Sequence, residues 1–209
     1  MKKKKIVWST LVLTIIITLI PMVYGTFFYS DLPEKLPGHF NFKNEVDRYD
    51  PKWVIIYVLP LVMALLQLIC ILIADLTKDP EVKEAKVIRL SKWIIPIISN
   101  VVVILSIMTA LNYSVDVGKA ITIFLSIVFI VIGNYTPKLP YEDAKRTGKL
   151  VPKSEDVYKK MMIRCGYAFV IGGVFSLITS FFDPVMTIGI ILGDCLVIAI
   201  YSIYYTFKR

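Results

Sequence analysis

The chain contains one imidazole, and its neighbours decide what chemistry it can do. His39 sits in the polar segment 31–52 with Asp31, Glu34, Glu45, Asp47 and Asp50 close by in sequence. A zinc centre draws most of its ligands from His, Cys and carboxylate side chains held tetrahedrally, and a lone histidine among scattered carboxylates falls short of such a set. Hydrogen bonding is the stronger reading. Pro33 and Pro37 restrict the backbone, and His39, Asn41, Asp47 and Lys52 then form a polar network against the helix ends. That network serves either as a structural tie or as a binding surface.

Asp194 is the second residue singled out by its surroundings. It lies ten positions beyond Pro184 in an otherwise uncharged stretch, which at about 1.5 Å per residue is roughly 15 Å, close to mid-bilayer. A carboxylate there costs at least about 2.5–3.5 kcal/mol on insertion scales. It is therefore expected to be protonated or hydrogen-bonded within the helices, with Lys119, Asn100 or Gln67 as partner. A proton relay is the functional alternative, although there is no second intramembrane acid to receive the proton. Gly189 and Gly193 beside it form a small-xxx-small face suited to close helix packing.

Other chemistry finds little support. Cys70, Cys165 and Cys195 share no ligand spacing and read as small packed thiols. There is no nucleophile matched to the histidine, no phosphate-cradling glycine loop and no paired-carboxylate surface. The expectation is a protein without cofactor or metal and without enzymatic activity.

The elements that must position these residues follow from composition. Apolar residues make up 56% of the 209 and charged ones only 19%. Asp, Glu, Lys and Arg are absent from 6–30, 53–74, 93–115, 120–137 and 165–182, and 184–207 holds Asp194 alone. Each run reaches or approaches the roughly 20 residues that span a hydrocarbon core, and backbone groups in lipid must bond within their own segment. The prediction is an all-α polytopic membrane protein: one integral domain of six transmembrane helices near 6–28, 53–76, 93–113, 118–136, 164–182 and 184–207. Loops 29–52 and 137–163 are the two long connections.

The net charge of +8 points to orientation more than to nucleic acid. With the amino terminus in the cytoplasm, nineteen Lys and Arg fall inside and five outside, so the positive-inside rule predicts both termini cytoplasmic and the His39 segment extracytoplasmic. Trp8, Trp53 and Trp93 each stand at the start of an apolar run, at headgroup level. The first run also has features of a cleaved signal, but its uncharged stretch is long for one, and a retained helix is expected.

The inner loop has a legible second half. Ser154 is placed to cap a helix, with Glu155 and Asp156 in its first turn. Val157, Tyr158, Met161, Met162 and Cys165 recur at helical spacing beside Lys153, Lys159, Lys160 and Arg164. Such a basic amphipathic segment suits anionic headgroups or a docked partner.

Two separated motifs carry a resemblance. Leu36-Pro37-Gly38-His39-Phe40-Asn41, followed by Glu45, Asp47 and Lys52, resembles the extracytoplasmic signature of the SdpI-type family, bacterial membrane proteins that give immunity to a secreted sporulation-delaying peptide toxin. Gly133-Asn134-Tyr135, Arg146-Thr147 and 154–160 resemble that family's cytoplasmic stretches in the same order. Asn44 replaces a usual glycine, and Tyr158 replaces a tryptophan. The resemblance implies a protein of the bacterial cell membrane that protects against an antimicrobial peptide, and for some members a receptor that sequesters a cytoplasmic repressor. Toxin contact would fall on His39, Asn41, Asp47 and Lys52, and partner contact on Arg146, Glu155, Tyr158, Lys159 and Lys160. A solute or proton-linked transporter is the alternative class, a membrane-embedded enzyme the third.

Overall fold

The computed structural model describes residues 6–41, 43–77, 84–147 and 151–207, with the backbone alone at 77, 143, 146 and 147. In chain order the elements are α1 (Trp8–Phe27), β1 (Lys35–Phe40), β2 (Val46–Pro51), a π-helical turn (Val54–Val58) and α2 (Leu59–Thr77). Then follow α3 (Lys86–Ser91), α4 (Ile94–Ala110), α5 (Val117–Tyr135), a 3-10 turn (Thr136–Lys138), α6 (Tyr141–Thr147), α7 (Glu155–Thr179) and α8 (Pro184–Phe207). Among the described residues, six helices are long and apolar enough to cross a membrane. The all-α polytopic fold expected from the charge-free runs is the fold observed.

Two details differ from expectation. The segment 29–52 folds its middle into an antiparallel hairpin of β1 and β2. The amphipathic segment and the fifth span are one continuous 25-residue helix, α7. Ser154 occupies the N-cap position with extended backbone, but its hydroxyl makes no capping hydrogen bond. The chain divides into two units, Met1–Glu81 with Arg89–Val117, and Val82–Ile88 with Gly118–Arg209.

In the first unit α1, α2 and α4 pack on one another. Prolines inside these helices set the polar contacts. Pro21 has no N–H, so the carbonyl of Ile17 loses its helical donor. Asn100 Nδ2 supplies a replacement at 2.8 Å, and Ser99 Oγ donates to the neighbouring Thr18 carbonyl at 2.9 Å. Pro96 likewise frees the carbonyl of Lys92, and Gln67 Nε2 donates to it at 2.7 Å. Water is absent in the hydrocarbon region, so neighbouring helices must meet such carbonyls. Asn100 and Gln67, two expected partners of Asp194, are engaged in this way.

The lower polar knot of this unit is an ion pair. Lys92 Nζ lies 2.6 Å from Asp75 Oδ1, with side chains only 4% and 1% exposed. The other carboxylate oxygen, Oδ2, accepts from the Val7 amide at 2.9 Å, tying the start of α1 to the end of α2.

In the second unit α5 meets α7 at a glycine crossing. A Cβ on Gly133 would come 2.8 Å from the Gly166 carbonyl, and one on Gly166 would come 2.9 Å from the Gly133 carbonyl. The missing side chains let the two backbones touch. Tyr158, Met161, Cys165 and Tyr205 form a buried cluster flanked by Tyr141 of α6. The Tyr141 hydroxyl donates to the carbonyls of Pro152 and Lys153 at 3.0 and 2.8 Å, pinning the approach to α7.

Candidate functional site

The hairpin is built from its turn. Asn41 Oδ1 accepts from the amides of Lys43 at 2.8 Å and Glu45 at 3.0 Å, a side chain imitating backbone. Asn41 Nδ2 also reaches Glu45 Oε2 at 3.0 Å. Asn44 takes φ 63, the left-handed region, which asparagine tolerates better than most side chains. The residue that stands where the resembling family has glycine keeps a backbone that glycine would favour.

Pairing runs from Lys35↔Pro51 to Phe40↔Val46, with register shifts either side of His39. Such irregularity re-aims a side chain. Here it faces His39 toward Asp47, with Nδ1 at 2.6 Å from Oδ1. A carboxylate only accepts when ionised, so Nδ1–H donates and the tautomer leaves Nε2 as an acceptor. The pair is open, 60% exposed at His39 and 43% at Asp47. Beside it, Arg48 Nε donates to Asp50 Oδ2 at 3.1 Å.

Below this polar tip the hairpin is fixed to the helices. Leu36 is fully buried among Leu32, Ile55, Ile56, Val103 and Ile107, worth roughly 1.5–3 kcal/mol for a side chain of that size. Ser106 Oγ of α4 donates to the Pro37 carbonyl at 2.6 Å. Lys52 is only 12% exposed at its side chain and meets Glu34 at 3.1 Å. Its ammonium also donates to the carbonyls of Tyr29 and Leu32, each at 3.3 Å, and lies 4.6 Å from the Tyr29 ring centroid.

The four residues expected to form one network therefore divide by task. His39 and Asp47 make the exposed pair, Asn41 shapes the turn, and Lys52 binds the end of α1 to the foot of the hairpin. Among the described residues no three of His, Cys, Asp and Glu gather as a metal site would require.

The inner candidates divide as well. Tyr158 is 2% exposed, so it packs α7 and offers no docking surface. Glu155 and Lys159 form an exposed i,i+4 pair at 2.8 Å, and Lys160 is exposed. The side chain of Arg146 lies outside the described residues. Lys119, the remaining expected partner of Asp194, has its ammonium 5.0 Å from the Phe181 ring centroid. Asp194 itself packs against Gly172, and its Oδ2 is shut off without a hydrogen-bond partner.

The Asp75–Lys92 pair is the feature that sequence reading missed. Each residue lies just outside a charge-free run, and Lys92 reads there as one more orienting charge. Only the tertiary packing of α2 and α4 shows that it is sealed.

These features define a polytopic membrane protein that carries a small β-hairpin anchored on its first unit. The sequence profile of a domain of unknown function, DUF1648, matches residues 16–64. That stretch runs from the middle of α1 through the whole hairpin into α2. No curated protein and no solved structure matches the chain.

Proposed function

We propose that this protein is a membrane immunity protein of the bacterial cell membrane, in which the hairpin meets a secreted peptide toxin at the outer surface. The observation that carries the reading is an exposed His39–Asp47 pair on a hairpin locked into the helices by Leu36, Ser106 and Lys52. A rigid support holds a polar tip ready, which lowers the ordering cost of binding. Nε2 of His39 is the acceptor that an incoming peptide N–H would find. The resemblance in 36–52 supplies the class of ligand, and both termini then lie in the cytoplasm.

The test is survival of toxin-sensitive cells expressing wild type, His39→Ala or Asp47→Ala at equal membrane abundance. Protection that depends on both residues is the expected result. Protection that persists after both substitutions makes the hairpin a structural tie only. Cysteine labelling at positions 43 and 149 checks orientation, with 43 reached from outside intact cells and 149 protected.

A second role, holding a cytoplasmic repressor, has the exposed Lys159 and Lys160 as its surface. Charge reversal at both should release the partner while insertion is unchanged. Recovery of the same partner in pull-downs from the reversed variant would remove that role.

A further inference from the structure

Between α7 and α8 runs a groove of about 650 Å³, wholly within the second unit. Tyr167, Ile171, Phe175, Ile190 and Tyr201 give it apolar and aromatic walls, and Asp194 lies in its side. Arg164 lines the groove too, eight residues before Gly172 and so about 12 Å away along α7. Pockets of this size with few convergent polar groups are the usual form of a small-ligand site.

Asp194 makes this groove unlike one filled by lipid tails. Its Oδ2 has no hydrogen-bond partner. An acyl chain would leave that carboxyl unmet, which is costly at this depth. The aromatic faces of Tyr167, Phe175 and Tyr201 favour positive charge on the side that Asp194 favours. Arg164 repels it, and this places the charge at the level of Asp194.

We propose that the α7–α8 groove binds a lipophilic cation, an apolar body bearing one positive charge, with Asp194 as its counter-charge. The site is independent of the hairpin and of the immunity reading. Its ligand would enter laterally from the bilayer, since the flanking residues Phe175, Tyr167 and Val197 are exposed on the helix surface.

The experiment uses the full chain in nanodiscs of uncharged-net phospholipid, with radiolabelled tetraphenylphosphonium as probe. Asp194→Asn should weaken binding by roughly tenfold or more, and Phe175→Leu by a smaller factor. Equal affinity in wild type and folded Asp194→Asn overturns the proposal. A second measurement needs no variant: the rate at which dicyclohexylcarbodiimide modifies Asp194, mapped by mass spectrometry. Saturating tetraphenylphosphonium should slow that modification, and an unchanged rate overturns the proposal. Shielding of Asp194 that rises with protein concentration and ignores the cation would assign the groove to a second copy of the chain, which also overturns it.

Discussion

Two pairs in the first unit have the same separation and opposite surroundings. His39 Nδ1 and Asp47 Oδ1 are 2.6 Å apart, as are Lys92 Nζ and Asp75 Oδ1. The first pair is about half exposed, and the second is almost entirely sealed. Water screens the hairpin pair, so it contributes little to stability and remains available to a ligand. The sealed pair carries a large desolvation cost that only its mutual attraction and the Val7 amide offset. Distance alone does not reveal what a charged contact does; burial decides whether it holds the fold or meets a partner.

The sharpest test of that contrast is to break the sealed pair from one side. Lys92→Met leaves Asp75 buried without its cation and should cost about 3–5 kcal/mol, read as a drop in the thermal unfolding midpoint in detergent. Adding Asp75→Leu should recover most of the loss, because the stranded charge is then gone. Failure of the double variant to recover would mean that the Val7 contact matters more than the ion pair.

Leu36→Ala should cost about 2–5 kcal/mol and free the hairpin from α4. Faster amide exchange across 35–51, with α1 unchanged, is the expected signature. Asn100→Leu should cost about 1–3 kcal/mol, the penalty of an unmet buried carbonyl. That loss should largely vanish when Pro21→Ala restores the donor to Ile17. At the turn, Asn44→Val should cost about 1–2 kcal/mol for its left-handed backbone, whereas Asn44→Gly should be close to neutral in the same melt. Smallest in stability is His39→Ala, under about 1 kcal/mol. If it instead unfolds the protein as Lys92→Met does, the contrast between the two pairs fails.

How much of this was legible in sequence varies with the range of the interaction. The six spans follow from uninterrupted apolar runs, which are local and which lipid enforces. The start of α7 at Ser154 was legible for the same reason, a polar residue followed by acids and a helical period. The hairpin was not, because Leu36-Pro37-Gly38 reads as a restrained loop and its strands are fixed by pairing and by Ser106, almost seventy residues away. Asn100 and Gln67 read as stray polar groups until Pro21 and Pro96 are seen to need donors. Asp75–Lys92 left no local trace at all. At the site, His39 and Asp47 were found by type, but the separate tasks of Asn41 and Lys52 required the folded geometry.

The junction after the hairpin carries a mechanical consequence. Strand β2 ends at Pro51 and helical backbone begins at Lys52, with no slack between them. The next turn is π-helical, Val54–Val58, with the Leu59 amide reaching back to the Val54 carbonyl. Pro60 follows it, a residue that cannot donate to Ile56. A turn wound this loosely is a torsional spring between a stiff lever and a stiff rod. A push on the hairpin tip therefore emerges as a twist of α2 about its own axis, so the hairpin and the helix respond as one moving part.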